Sequence, residues 1–298
     1  MSTKTGRIIK GVGGLYTVNS NGKEYLCKAR GAFRNKNITP APGDIVDFTD
    51  TKNESSNCSI ENIHNRKNEF RRPFIANIDV LLIAASVNNP PPNLYLIDKL
   101  IAIATLKEIL PIVVVTKSDL DENKAKEIYN IYSNAGIKCF IVSSVNKTGI
   151  QEFKEQLKNK LCVFAGISGV GKSSLINELD INIDMIVGSL SEKSGHGKHT
   201  TRHTEIFYAS DNILIADTPG FSTIWTREYD NIIASEVKDG FIEFSRFKDD
   251  CKFKDCSHNG GENCGIIKAL KAGKIEKSRY ENYLLICEEL KDAKKWQK

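Results

Sequence analysis

Leu161-Cys162-Val163-Phe164-Ala165-Gly166-Ile167-Ser168-Gly169-Val170-Gly171-Lys172-Ser173-Ser174 decides how the rest of this 298-residue chain is read. Five apolar residues make a buried strand, and Lys172 to Leu179 has the pattern of a helix. The turn between them, Gly166 to Ser173, matches G-x-x-x-x-G-K-[ST] in the strand-to-helix setting that this motif requires. Its glycines let successive backbone N–H groups converge on phosphate oxygens at a helix N-terminus, where the helix dipole also favours negative charge. Lys172 would reach the β- and γ-phosphates and Ser173 would ligate Mg²⁺, with Ser174 in the same first turn. A glycine-rich turn without a ligand is the competing reading, and the adjacent Lys and Ser argue against it.

The same apolar-strand texture recurs upstream. Ile112-Val113-Val114-Val115 runs into Thr116-Lys117-Ser118-Asp119. A carboxylate just past a strand can accept from guanine N1–H and the 2-amino group together, a paired contact that adenine cannot offer. Lys117 would lay its stem along the base, and Thr116 stands where Asn is commoner in such motifs. Taken alone, Lys-x-Asp after a strand is more often a helix cap. After the next strand, Cys139 to Val142, the pair Ser143-Ser144 lies where a backbone or serine N–H can reach guanine O6.

Downstream, the strand Asn212 to Ala216 ends in Asp217-Thr218-Pro219-Gly220. Asp217 would hold a metal-bound water and the Gly220 N–H would meet the γ-phosphate, which makes the turn sensitive to that phosphate. Between the two motifs lies Gly195-His-Gly-Lys-His-Thr-Thr-Arg-His203. Either Thr200 or Thr201 can complete the Mg²⁺ site as the first switch, or the stretch is simply a solvated loop. Base loops, phosphate loop, first switch and Asp-Thr-Pro-Gly turn occur in that order. A Ras-like domain begins with the phosphate loop and ends with the base loops, so the order here is a cyclic rotation. Domain termini often lie close together, and joining them while opening the chain elsewhere preserves a sheet and its site. The new carboxyl end then falls just after the phosphate-sensitive turn.

A chain of this length suggests two or three domains. Apolar residues make up 40% and charged residues 27%, which are globular values. A net charge of +5 permits an acidic partner such as RNA without requiring one. The first residues, MSTKTGRIIKGVGG, contain no apolar signal core, and no run approaches the roughly 18 apolar residues of a membrane span. A soluble, cytoplasmic protein with no membrane partner is expected.

Residues 1–68 form one segment of short strands. Leu15–Val18 and Glu24–Lys28 flank Asn21-Gly22, a two-residue hairpin signal, and Gly43–Phe48 alternates again. Five or so strands in that length fit a small barrel of the OB type, a type that often binds nucleic acid, and other small barrels fit nearly as well. Residues 69–228 alternate strands with helices and imply a mainly parallel sheet. One helix shows a face of Leu94, Ile97, Leu100, Ile101 and Ala104; another runs from Asp121 to Ala135 and closes on Gly136; a third has Ile150, Phe153 and Leu157. Residues 229–298 hold a cysteine cluster and a last helix from Ser278 to about Lys295.

Of the eight cysteines, Cys27, Cys58, Cys139, Cys162 and Cys287 are scattered singly. Cys251, Cys256 and Cys264 crowd around His258. Three thiols and an imidazole make a closed tetrahedral Zn²⁺ set, and Gly260-Gly261 allows the chain to fold back around the ion. The Lys, Asp and Asn residues between the ligands would be poor core residues, which disfavours coincident buried thiols. With all four positions filled by protein, the site would be structural, supporting a surface with Lys252, Lys254, Lys268, Lys271 and Lys274.

In this order, Thr116–Asp119, Gly166–Ser174, Gly197–Thr201, Asp217–Gly220 and Cys251/Cys256/His258/Cys264 resemble one family over essentially the whole chain. These are the circularly permuted GTPases of the RsgA type, which act on the small ribosomal subunit. Thr116 replaces the commoner Asn, and Lys198 stands where the family often has Arg. The resemblance implies an OB barrel, a permuted Ras-like GTPase domain and a C-terminal zinc-binding helical domain. It implies GTP hydrolysis to GDP stimulated by the small subunit, late maturation of that subunit, rRNA contact and a cytoplasmic site of action. A monomer is expected. Phe221 follows the Asp-Thr-Pro-Gly turn where Ras-like enzymes place a water-orienting Gln, and the resemblance makes His199 the candidate for that role. An RNA-binding assembly scaffold with incidental turnover is the alternative from another functional class.

Overall fold

The computed structural model describes residues 2–31, 33, 38–50, 58–71, 73–179, 204–217, 232–261 and 263–295. The chain divides into two compact units: Met1–Asp79 with Leu157–Val163 and Leu179–Phe221, and Val80–Gln156 with Phe164–Glu178 and Ser222–Lys298.

The first unit opens with five strands: β1 (Ser2–Val12), β2 (Leu15–Ser20), β3 (Lys23–Ala29), β4 (Ile45–Asp50) and β5 (Cys58–Ile63). The antiparallel pairs β1–β2, β2–β3, β4–β5 and β1–β4, together with the parallel pair β3–β5, close the ring in the order 1-2-3-5-4. That closed five-stranded barrel is the OB-type arrangement the sequence left among several. Asn21 (φ +53°) and Gly22 (φ +80°) supply the left-handed hairpin turn expected from their types. Alternating residues Ile8, Val18, Cys27, Val46, Phe48, Cys58 and Ile60 fill the interior.

Two buried anchors fix the approach to β4. Arg66 reaches both carboxylate oxygens of Asp44, at 2.7 and 2.8 Å, and the Thr39 carbonyl at 2.7 Å. Gly43 (φ +94°) passes so close to Ala76 that a Cβ would lie 1.9 Å from its carbonyl oxygen, so no other residue fits. The strand expected at Gly43 therefore starts at Ile45, because Gly43 and Asp44 are occupied in this corner. Beyond the hairpin β6 (Glu69–Arg71) and β7 (Phe74–Ala76), the unit contains most of β11 (Leu161–Ala165), β12 (Glu205–Tyr208) and β13 (Leu214–Asp217). β11 runs parallel to β13, β12 antiparallel to β13, and β12 meets β1 at Glu205↔Lys10, where the two side chains form a 2.8 Å ion pair.

In the second unit β8 (Val80–Ser86), β9 (Leu110–Thr116) and β10 (Lys138–Ile141) form a parallel sheet in the order β10-β9-β8. β8 is buried throughout, as expected for a parallel strand covered on both faces. The connections carry α1 (Leu94–Leu106), α2 (Glu122–Asn134) and α3 (Ile150–Glu155), and α4 (Lys172–Glu178) follows β11. Asp121 caps α2 by accepting from the Lys124 N–H at 2.9 Å, and Gly136 (φ +85°) follows its end.

α1 departs from a simple amphipathic helix. Ile97, Leu100, Ile101 and Ala104 are buried as expected, but so are Asp98 and Ala102. The C-terminal segment has short 3₁₀ turns at Val237–Gly240, Ile242–Arg246 and Lys248–Asp250, then α5 (Gly265–Lys271) and α6 (Lys277–Lys295), and its first turn and last helix pack on that second side. Sequence periodicity indicated only the last of these, because single turns have no repeat to detect. Arg279 of α6 is 1% exposed. It holds Glu243 through two bonds of 2.5 and 2.9 Å and Asp98 through one of 2.6 Å, while Asn282 donates to the other Asp98 oxygen at 2.6 Å. Lys99 adds an ion pair to Glu289 at 2.7 Å. Among the described residues no helix is long and apolar enough to cross a membrane.

Removing one member of a buried ion cluster strands its partners without water, at about 3–5 kcal/mol. Arg279→Ala is expected to lose that much in urea unfolding. Burial raises the Asp98 carboxyl from 3.8 to about 6, ahead of the opposing pull of Arg279. The folded state thus binds the proton more tightly than the unfolded chain does. This contribution to stability falls as pH rises from about 4 to about 6, and Asp98→Asn should flatten the unfolding free energy across that window.

Candidate functional site

The second unit brings the phosphate loop and both base loops to the carboxyl ends of its strands, where ligands of parallel sheets bind. Gly166 (φ +133°), Gly169 (φ +82°) and Gly171 (φ +95°) all take conformations that side chains resist. At Gly166 a Cβ would also lie 2.5 Å from the Ala84 carbonyl of β8. The motif glycines are therefore required by backbone shape and by close approach. Val170 is buried under the loop, while Ser168, Ser173 and Ser174 are exposed. The Lys172 ammonium donates to the Gly166 and Ile167 carbonyls at 2.7 and 2.8 Å, curled over the loop it would serve. Burial holds its pKa below the usual lysine value.

Thr116, at the end of β9, is 3% exposed, and its hydroxyl donates to the Val170 carbonyl at 2.5 Å. Its side chain is thus committed to bracing the phosphate loop from the base loop. Lys117 takes a left-handed conformation (φ +57°), and its ammonium donates to the Asn89 carbonyl at 2.5 Å. Ser118 is buried, with its N–H donating to Val142 O at 3.3 Å. Asp119 is exposed, and the Ser143 hydroxyl donates to its carboxylate at 2.5 Å.

Ser143 is wholly buried and works as a hub. Its own N–H donates to Thr148 O at 3.1 Å, and its hydroxyl accepts from the Val145 and Asn146 amides at 3.2 and 3.4 Å. Of the two serines singled out by sequence, Ser143 is the one that bonds the Asp119 carboxylate, and Ser144 beside it is half-buried. Lys147 (φ +63°) pairs with Glu178 at 2.7 Å and ties this loop to α4; no sequence motif marked either residue.

Asp217 closes β13 in the first unit, as the strand-end reading required. His199, Thr200, Thr201 and Gly220 lie outside the described residues.

The cysteine cluster assembles as expected. Donor atoms of Cys251, Cys256, His258 and Cys264 all lie within 4.8 Å of one another. His258 Nδ1 is 3.6 Å from Cys251 Sγ and 3.4 Å from Cys264 Sγ, and the two sulfurs are 4.0 Å apart. Bonds of about 2.3 Å to sulfur and 2.0 Å to nitrogen in a tetrahedron place donors about 3.5–3.8 Å apart, so the set fits zinc. His258 (φ +53°), Gly260 and Gly261 make the reversal around it. Tyr280 and Tyr283 of α6 donate to the His258 and Ser257 carbonyls at 2.8 and 2.5 Å. These outer supports escaped the sequence reading because they sit some 20 residues away within an apolar helix face.

Thr116→Val keeps the shape and leaves a buried carbonyl without its donor, a loss of about 1–3 kcal/mol. Titration with a fluorescent guanine nucleotide should show affinity falling about ten-fold, with Thr116→Ser close to the parent.

Two family models match the chain: the RsgA GTPase over residues 63–226 and the RsgA N-terminal domain over residues 5–57. A curated small ribosomal subunit biogenesis GTPase RsgA of Alkaliphilus metalliredigens is 37% identical over 98% of this chain and 99% of its own length. RsgA 2 of Oceanobacillus iheyensis is 41% identical over 97% of this chain and 98% of its own. The crystal structure of YjeQ from Thermotoga maritima superposes with a TM-score of 0.83 at 33% identity, covering 97% of this chain and 99% of the other. YloQ, described as a circularly permuted GTPase, gives 0.80 at 30% identity over 98% and 96%. The rotated order of base and phosphate loops, their bonded arrangement and these full-length likenesses agree: the chain belongs to the RsgA family of circularly permuted GTPases.

Proposed function

We propose that this chain hydrolyses GTP to GDP and phosphate in the biogenesis of the small ribosomal subunit, and that the subunit stimulates the turnover. One observation carries the nucleotide part: the Thr116 bond to Val170 joins the base loop to the phosphate loop while Ser143 aims Asp119. A purine read by Asp119 and a phosphate held by Gly166–Ser174 would then sit at a set spacing. Asp119 would accept from guanine N1–H and the 2-amino group, the Lys117 stem would cover the ring, and the Ser144 amide would face O6.

Lys172 would exchange the Gly166 and Ile167 carbonyls for phosphate oxygens, a small movement of a lysine already poised over the loop. Ser173 and Asp217 offer the hard oxygen donors that suit Mg²⁺, which when bound neutralises charge on the β- and γ-phosphates. Thr200 or Thr201 would serve as first switch and the Gly220 amide as γ-phosphate sensor. Because Phe221 has no hydrogen bond to give, His199 would orient the attacking water. Zn²⁺ on Cys251, Cys256, His258 and Cys264 would be structural.

Within this reading, the barrel segment 1–68 and the metal-binding segment 229–298 contact rRNA, and 69–228 carries the chemistry. The protein would act in the cytoplasm as a monomer. Support comes from the barrel type, the net charge of +5 and the names of the full-length relatives.

GTP turnover measured with and without purified small subunits tests the proposal: many-fold stimulation is expected, and none would leave a scaffold whose nucleotide is only structural. Asp119→Asn should move preference from GTP toward xanthosine triphosphate. His199→Ala should keep nucleotide affinity and lose stimulated turnover, whereas equal loss of both would remove His199 from the chemistry.

A further inference from the structure

The loop between Cys251 and Cys256 displays a side chain that a metal on the cluster would not need. Phe253 is 63% exposed, and the exposed Lys252 and Lys254 flank it. Single exposed apolar residues are ordinary. What sets this one apart is its mounting. The Lys252 N–H donates to Asn263 O at 3.0 Å, the Cys256 N–H to Phe253 O at 3.3 Å, and the Gly265 N–H to Cys251 Sγ at 3.2 Å. With ligands at both ends as well, the ring stands on a backbone that has little freedom left to lose on binding.

Electrostatics point the same way. The Lys252 ammonium lies 5.8 Å from the ring centroid, over one face. Lys268 and Lys271 are exposed on the helix that follows Cys264, with Lys274 just beyond. Asp249, Asp250 and Asp255 are exposed nearby, so this is not a uniform basic patch. A divalent ion with three thiolates also leaves one negative charge for lysines to balance. Charge balance needs the lysines alone and gives no reason for an aromatic ring between them. An aromatic face beside cations is the chemistry that takes up unpaired bases, by stacking plus phosphate contact.

We propose that Phe253 stacks on an unpaired RNA base, with Lys252 and Lys254 meeting the neighbouring phosphates. This rests on the small-subunit reading above and adds the chemistry of one contact. Full-length, zinc-loaded protein and purified small subunits decide it. Phe253→Ala should weaken subunit binding about ten-fold or more while zinc content, basal GTP turnover and the salt dependence of binding stay as in the parent. Phe253→Trp should bind as well as the parent. Lys252→Gln with Lys254→Gln should instead reduce the salt dependence. A photoreactive benzophenone side chain at position 253 should form its adduct on an rRNA base. Undiminished binding by Phe253→Ala, or adducts only on ribosomal proteins, would overturn the proposal. If the parent binds subunits without faster turnover, the hydrolase reading fails, and the adduct still decides this contact.

Discussion

A hydroxyl from the base loop holding a carbonyl of the phosphate loop is the constraint on which the nucleotide site depends. Thr116 Oγ1 and Val170 O meet at 2.5 Å in a place closed to water, where the bond cannot be traded for a solvent contact. Fifty-four residues separate the two partners, yet the bond joins the end of β9 to the loop after β11. The shape of Gly166, pressed against Ala84, and the hub at Ser143 extend the same arrangement to either side. None of these contacts depends on which end of the domain begins the chain. A site built from strand-end loops tolerates a rotated order because the loops are held by bonds between them.

The rotation changes what the site is connected to. α1 would ordinarily need one apolar face, yet Asp98 and Ala102 are buried on its other side beneath the C-terminal segment. Gly240 comes so close that a Cβ there would lie 2.8 Å from the Ala102 backbone. The Arg279 cluster supplies charged contacts within this packing, where a mismatched alternative would leave charges unpaired. The segment that carries the cysteine–histidine cluster is held in turn by Tyr280 and Tyr283 from the helix that carries Arg279. One helix thus serves both the buried ion cluster and the cysteine–histidine cluster.

Legibility in the sequence followed the range of the interaction. Glycines at Gly166, Gly169 and Gly171 and the Asn21-Gly22 turn obey local rules, and each was readable from neighbouring residues. The buried strands β9 and β11 were readable because continuous apolar runs have few other uses. Cys251, Cys256, His258 and Cys264 were readable from spacing alone. The 3₁₀ turns after residue 237 were not, nor was α5, since short elements carry no period.

Amino-acid order by itself determined which motifs are present: a phosphate-loop motif, a Thr-Lys-Ser-Asp motif, a cysteine–histidine set and their rotated sequence. Tertiary structure alone decided which small barrel forms, by pairing β3 with β5 and β1 with β4. It decided that the Thr116 hydroxyl bonds Val170 O, that the buried Ser143 bonds Asp119, and that Asp98 is buried with Arg279. Local motifs are written in neighbouring residues because backbone torsions and ligand spacing act over a few positions. Division of labour among side chains depends on partners tens to hundreds of residues away, and no local pattern encodes them.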